Sequence, residues 1–467
     1  MQGRWARPAV FILLTFFTAI SPALASTALP DSLLVLPEQV VLTLPKAPGQ
    51  EFRVSYTSHP MKAIIDSNLP LQGWPAQQAV GDVALKEVRF AQQGGSYRLV
   101  LEFNYQLPEG EVSEDAERFQ LVIPKAFAHT TTRLVEPGVV YGHQRRADSY
   151  GPNVVNYLEI DLRRSYEVKL VLAQDCIYGA ERVSDMAKRV GALAAVNGAY
   201  FASNGRPLGV FMIDGELITE PYANRTAIGL GPGGAVIDNV GFTGEIWHEG
   251  QLLAAVSGIN RPRLQDELIV YTEAYGTKTN TNVYGYEVVV VHGVVTQLQP
   301  QGNSTIPEGG LVLSGHGVQR ETLSKLKVGD RVEVHVQLQP DWTELGIDQI
   351  IGGGPRLVRN GVLDITGEAE LFKDDILKGR APRTAIGVTA DQKLLLVTVN
   401  GRQPNISVGM TLDELGNLLI ELGALEAMNL DGGGSTTMVI RDLVLNLPSD
   451  GKERAVGNAI VVVPGSK

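Results

Sequence analysis

Residues 27 to about 132 alternate hydrophobic and polar positions in short runs, at 39–44, 84–90, 97–103 and 119–123. Proline, glycine and polar turns separate them. A period of two with frequent breakers predicts short antiparallel strands, hence a small all-β module. The run LKEVRFAQQGGSYRLVLEF reads as one hairpin across Gly94-Gly95. From about Thr132 the period changes. Residues 181–189 place Val183, Met186, Ala187 and Val190 at helical spacing before Gly191, and an apolar run then reaches Asn197. Thr411 followed three residues later by Glu414 is a capping box, opening a helix that presents Leu412, Leu415, Leu418, Leu419 and Leu422 on one side. These signals predict an α+β, mixed α/β domain over 133–467, with a strand-rich insertion at about 240–345.

That second region contains an echo. Asn224-Arg225-Thr226-Ala227-Ile228-Gly229 recurs as Pro382-Arg383-Thr384-Ala385-Ile386-Gly387. The segments 207–217 and 355–363 each carry a strand turning at Asp-Gly or Asn-Gly. Two copies are too few for a solenoid and predict an internal pseudo-repeat, a duplicated hairpin with an arginine.

The 467 residues include 44% hydrophobic ones, enough for a sizeable core and more than one domain. The first residues read MQGRWARPAVFILLTFFTAISPALAS: two arginines, an apolar run, then Ala23-Leu24-Ala25 as a small-x-small cleavage site. This predicts a signal peptide over 1–25, and so a secreted or periplasmic protein. No later stretch is apolar enough for a transmembrane span. The formal charge is −11, and more negative without the two arginines of the leader, which argues against nucleic acid as a partner. Cys176 is the only cysteine, so no internal disulfide is available and no zinc spacing exists.

The candidate chemistry centres on Asp431-Gly432-Gly433-Gly434-Ser435-Thr436-Thr437. A hairpin turn needs one or two glycines, not three. A Walker loop needs Gly-Lys-Ser/Thr and a following helix, and has neither here. A third reading is a nest, in which glycine N–H groups converge on an anion beside the hydroxyls of Ser435 and Thr436, with Asp431 at the rim. Arg225 and Arg383 are candidate phosphate ligands, because a guanidinium grips phosphate oxygens in a fork. Tyr200 and Phe201 could stack on a sugar face, and Asn197, Asn429, Arg402 and Arg454 could add polar contacts. Asp348 is a second candidate carboxylate. His316 and Asn400 have weaker claims, as loop and turn residues. No cofactor is required; Asp431 with neighbouring oxygens could hold a divalent cation, although no loop has a calcium-site spacing.

Taken in order, Ala195-Val196-Asn197-Gly198-Ala199-Tyr200-Phe201, Ile351-Gly352-Gly353-Gly354-Pro355-Arg356, Arg383-Thr384-Ala385-Ile386-Gly387, Asn400-Gly401-Arg402, Asn429 to Thr437, Glu453-Arg454 and Asn458 resemble the phosphodiester glycosidase family. The resemblance covers about 133–464. It implies cleavage of a sugar–O–phosphate bond at the anomeric carbon, with a glycan or sugar-phosphate as substrate. Asp431 would then be base or electrostatic partner, Asp348 the alternative carboxylate, and the arginines and glycine loop the phosphate site. The 27–132 module is similar to exported β-sandwich modules of the AMIN type, which implies a contact with cell-wall glycan. A glycan-binding protein without catalysis and a phosphodiesterase cleaving P–O are the rival readings.

Overall fold

A computed structural model describes residues 29–164, 166–232 and 234–465. The expected signal peptide, residues 1–25, lies outside the described residues. No helix among them is long and apolar enough to cross a membrane.

The first sheet runs in the order Leu33–Val35, Gln39–Pro45, Arg118–Pro124, Glu111–Glu114. The second runs Phe52–Ser58, Met61–Ser67, Ser96–Phe103, Leu85–Gln93, Gln77–Ala79. Alternation explains their packing: Val40, Leu42 and Leu44 face Ala63, Ile65, Leu99 and Leu101 in one core. The hairpin at Gly94-Gly95 forms as the spacing predicts. Both glycines hold φ of 58° and 88°, the left-handed pair that a tight hairpin requires.

In the remainder, three sheets surround the main core. The large sheet has eight strands: Phe127–Glu136, Val139–Asp148, Gly151–Asp161, Lys393–Val399, Arg383–Thr389, Ala424–Asn429, Arg356–Arg359 and Val362–Leu363. A terminal sheet orders Tyr166–Leu172, Asn458–Pro464, Ala194–Asn197, Met438–Ile440 and Leu443–Val444. A third orders Glu216–Thr219, Phe211–Ile213, Gln349–Gly352, Thr226–Gly231 and Gly234–Asn239. Leu158, Ile386 and Leu396 of the large sheet meet Leu170, Val196 and Ile460 of the terminal sheet and Phe211, Ile228 and Ile351 of the third. Between the third sheet's last two strands in sequence, Gly241–His248 to Val332–Gln339 build two further sheets with their own core of Ile246, Val270, Val288, Leu313 and Val332.

The expectation of a mixed α/β domain is corrected. The α-helices among the described residues are Val183–Arg189, Val318–Leu323, Asp374–Leu377 and Leu412–Glu421, none longer than ten residues. Sheet dominates because runs such as Leu394 to Val399 are buried on both faces, and two-sided burial removes the alternation that marks a strand in sequence. The two expected helices do form. Thr411 and Glu414 complete the capping box, and Leu415, Leu418 and Leu419 cover the outer face of the large sheet at Leu357, Leu395 and Val397. Val183 and Met186 of the shorter helix cover the terminal sheet at Val439 and Val461. Glu453 caps that helix, its carboxylate accepting from Ser184 N at 2.8 Å and Oγ at 2.6 Å.

The sequence echo has a structural counterpart. Thr226–Gly231 pairs with Gln349–Gly352, matching Ala227 to Gly352, while Arg383–Thr389 pairs with Ala424–Asn429, matching Ala385 to Asn429. Each partner strand runs into three glycines.

Leu418 is buried to 1% exposure and Leu425 is 43% exposed. Leu418→Ala should cost about 2–5 kcal/mol by cavity formation, whereas Leu425→Ala should cost under about 1 kcal/mol. Thermal unfolding of the two variants side by side checks this; equal losses would place the helix off the sheet.

Candidate active site

The glycine loop leaves the large sheet after Asn429 and enters the terminal sheet at Met438, crossing where the two sheets meet. Leu430 N bonds Thr384 O at 2.9 Å, Asp431 N bonds Gly198 O at 3.2 Å, and Gly433 N bonds Pro382 O at 2.9 Å. Ser435 N and Thr436 N turn back to Gly432 O and Gly433 O, and Thr437 N reaches Asn197 Oδ1 at 3.1 Å. The expected anion nest is therefore corrected: the N–H groups of Gly433, Ser435, Thr436 and Thr437 all have internal acceptors. The glycines answer a different need. A Cβ at Gly432 would stand 2.8 Å from Pro382 O, one at Gly434 would collide with the Arg454 guanidinium, and Gly433 holds φ +62°.

Asn197, offered as a sugar ligand, is 1% exposed and spends its carboxamide on the fold. Its Nδ2 donates to Asp431 O at 2.6 Å, and its Oδ1 accepts from Thr384 Oγ1 at 2.8 Å. Ser435 and Thr436 are buried. The Thr436 hydroxyl is 3.4 Å from that of Thr384, and Ser435 bonds the Asp431 carboxylate. They shape the loop from inside.

Asp431 stands at the head of this loop. Burial pushes its carboxyl up to about 6, against 3.8 for an ordinary aspartate. The Ser435 hydroxyl, the Gly432 N–H and the Arg454 charge offset part of that rise. Such a group can exchange a proton near neutral pH, as an acid–base catalyst must.

Two of the four candidate arginines flank it. A Cβ placed at Gly433 would lie 3.2 Å from Arg402 Nη2, so that guanidinium lies over the loop. Arg402 is exposed, holds φ +62°, and forms no ion pair with a carboxylate among the described residues. Arg454 stands over Gly434 and pairs with Asp450 at 2.6 Å.

The other two are corrected. Arg383 is 3% exposed, with Nε bonded to Met410 O at 2.9 Å, Nη1 to Ile376 O at 3.2 Å and Nη2 to Gly379 O at 3.1 Å. Arg225 donates Nε to Glu370 O at 3.0 Å and Nη2 to Leu371 O at 3.3 Å. The two echoed arginines thus hold opposite ends of one segment, residues 370–379, by its carbonyls. Burial lowers the pKa of both.

Asp348 is also corrected. It precedes Gln349–Gly352, whereas Gly354 at the other end is what meets Asn429. At about 3.3 Å per residue, that puts Asp348 on the order of 15 Å from the glycine loop. Phe201 is partly buried and packs against the core that includes Val183, Val439 and Val456. Tyr200 does belong to the site. Asn429 Nδ2 donates to its hydroxyl at 2.8 Å, and that hydroxyl donates to Gly354 O at 3.1 Å. Burial and the Asp431 charge raise the phenol's pKa. Asn429 also donates to Leu430 O at 2.7 Å, and its buried Oδ1 has no partner. Asn400 is 1% exposed and its Oδ1 accepts from Leu447 N, a turn role. His316 lies in the inserted sheets, its N–H on Glu267 O.

Three residues escaped sequence reasoning. Glu370 is 2% exposed and accepts from Thr226 N, Thr226 Oγ1, Arg356 N and Thr366 Oγ1, which anchors the segment gripped by Arg225. Phe372 packs beside Tyr200 at 5.7 Å between centroids. Asp450 sits four residues before Arg454, and that spacing was the one signal available. No group of three or more His, Cys, Asp or Glu that could hold a metal occurs among the described residues.

An aspartate on a glycine loop at a junction of sheets, with guanidinium groups over it, is a constellation able to receive an anionic group. Comparison with known proteins agrees with the resemblance read from the sequence. Residues 284–463 match the phosphodiester glycosidase family model. It is 31% identical over 121 residues to the bovine (Bos taurus) N-acetylglucosamine-1-phosphodiester alpha-N-acetylglucosaminidase, covering 23% of this chain and 22% of that protein. It is 37% identical over 86 residues to the SPbeta prophage-derived protein YomE of Bacillus subtilis, covering 18% of this chain and 13% of the relative. These matches span less than a quarter of either relative. A crystal structure of a hypothetical protein from Synechocystis shares the fold, with TM-score 0.66 and 23% identity over 92% of this chain and 80% of that one.

Two outcomes follow from the site's energetics. Arg383→Met should orphan three carbonyls and cost about 2–4 kcal/mol, with faster amide exchange at 376–380, while Arg402→Ala should change stability by under about 0.5 kcal/mol. Thermal unfolding with hydrogen exchange separates them. For Asp431, the folded carboxyl binds a proton more tightly than the unfolded one. Its burial therefore costs nothing below about pH 4 and progressively more as pH rises through about 6. Asp431→Asn should match the parent at pH 4 and exceed it by up to about 3 kcal/mol above pH 7. A gap that is constant with pH would show that the carboxyl does not titrate there.

Proposed function

We propose that the protein hydrolyses a sugar-1-phosphodiester at the C1–O bond, acting outside the cytoplasm on an envelope glycan or exopolysaccharide. One observation carries this reading: a carboxyl with a pKa near 6 stands at the head of a loop crossed by two guanidinium groups, one of them without a carboxylate partner. Arg402 and Arg454 take the non-bridging phosphate oxygens and stabilise the charge that the leaving phosphate gains. A phosphate monoester is a good leaving group, so protonating it matters less than activating water. Asp431, ionised above its pKa, takes the proton. The water oxygen bonds to C1 as the C1–O bond breaks, and free sugar and a phosphomonoester depart. Tyr200 and Asn429 position the sugar beside it. The N-terminal sandwich is the accessory module of this reading, holding the enzyme on a glycan surface.

The leading rival is attack at phosphorus, since the same cations would serve it. Hydrolysis of a sugar-1-phosphodiester in oxygen-18 water separates them. Label in the sugar is expected; label in the phosphomonoester would overturn the glycosidase. Asp431→Asn should lower kcat at least about 100-fold, and the parent's kcat/KM should rise through about pH 6. Persistence of turnover in that variant would remove Asp431 from the chemistry.

A further inference from the structure

The two sheets between Gly241 and Gln339 leave one strand edge open. The smaller sheet orders Gln251–Ala255, Gly241–His248 and Val332–Gln339, so Val332–Gln339 has a sheet neighbour on one side only. Two bonds fix which of its amides face the free side. Val332 N donates to Gly293 O at 2.9 Å, away from the neighbouring strand, and Gly244 O accepts from Val256 N at 2.8 Å on the far side of that strand. Val332 lies opposite His248 and Val336 opposite Gly244, in a register without a bulge. Alternation therefore turns the N–H and C=O groups of Val334, Val336 and Leu338 outward. No donor or acceptor meets these six groups among the described residues.

Lysine, proline, a bulge or a covering segment usually blunts such an edge. The stretch 332–339 contains none of the first three, and a cleft lies along it. A cavity of about 740 Å³ touches Val332 to His335, and a second of about 370 Å³ touches Val334 and Val336 to Leu338. Glu216, Thr272, Leu311 and Val334 line both, so the two form one cleft that follows the strand for about 20 Å. Its floor is apolar, from Ile259, Val270, Leu311, Val334 and Val336, the last three only partly buried. Its rim is acidic. Glu216, Glu273, Glu333 and Asp341 stand along it, and no lysine, arginine or aromatic residue lines either cavity.

We propose that this cleft docks an extended polypeptide segment of another protein, one that alternates apolar and basic residues. The segment adds a strand to Val332–Gln339, its backbone satisfying the outward groups of Val334, Val336 and Leu338. Its apolar side chains fill the floor, and its lysines or arginines meet the four carboxylates of the rim. A sugar finds no aromatic face here, and the acidic rim repels a phosphate. No residue of the glycine-loop site lines the cleft, so the inference stands apart from the reading of Asp431.

The test uses the intact chain and two end-blocked peptides of about seven residues. One alternates lysine with valine; the other alternates glutamate with valine. Calorimetric titration should detect the lysine peptide, with the glutamate peptide at least about tenfold weaker. Val336→Pro removes one outward N–H and leaves the bonds to Gly241–His248 in place, so it should abolish binding with little change in thermal unfolding. Glu216→Lys combined with Glu333→Lys should weaken the lysine peptide about tenfold without altering the edge. Binding of neither peptide, or equal binding of both, overturns the proposal. So does binding that survives Val336→Pro in a chain that unfolds at the parent's temperature. Should Val336→Pro unfold early, the charge-reversed chain decides, and unchanged binding there overturns the proposal. A concentration-dependent dimer in sedimentation, lost in Val336→Pro, assigns the edge to a second copy of this chain and overturns the foreign partner.

Discussion

The carboxamide of Asn197 is the constraint on which the site depends. It ends a strand of the terminal sheet and touches the large sheet through Thr384, the start of the glycine loop through Asp431 O, and its end through Thr437 N. One buried side chain therefore fixes the loop at both ends and joins it to two sheets. Buried amides of this kind tolerate little change, because every loss leaves a donor or acceptor without water to replace it. Asn458 repeats the device one strand away, accepting from Ala199 N at 2.7 Å and so fixing the turn that presents Tyr200. Neither residue needs to touch substrate to be indispensable. They convert three strand ends into a platform stiff enough to hold a carboxyl in an unfavourable environment.

That stiffness explains the glycines differently from an anion nest. The Gly433 amide points inward onto Pro382 O, those of Ser435 and Thr436 onto the loop's own carbonyls, and the absence of glycine side chains lets Arg402 and Arg454 settle over the loop. Backbone satisfied on the inside, cations on the outside, and one partly desolvated carboxyl between them is an arrangement with separated tasks. The loop supplies geometry, and the guanidinium groups supply charge.

The sequence made local structure legible and left the directions of its long side chains hidden. The Gly94-Gly95 hairpin, the Thr411 capping box and the helix before Gly191 each depend on neighbours within a few residues, and each is found where the pattern put it. Mixed α/β architecture failed where strands buried on both faces stopped alternating. The echo of Arg225 and Arg383 was legible as repetition but misread as chemistry. A guanidinium can grip a phosphate or three carbonyls equally well, and only the segment 370–379, distant in sequence from Arg225, decides which. Asp348 failed for the same reason: adjacency to a glycine triplet says nothing about which end of the strand faces the site. Glu370 and Phe372 gave no signal at all, since the link of Glu370 to Thr226 spans 144 residues and the role of Phe372 arises from ring packing.

The duplication then acquires a physical meaning. Two hairpins of the same design, one in the third sheet and one in the large sheet, each send an arginine to the same intervening segment, one to its carbonyls at 370 and 371 and the other at 376 and 379. A segment held at both ends by charged donors is a wall whose position is set by two separate sheets. Any shift of one sheet against the other would strain it, and with it Phe372 and Tyr200. The pseudo-repeat therefore does more than thicken the core. It aligns the aromatic side of the site with the Asp431 side, although the two are built on strands of different sheets.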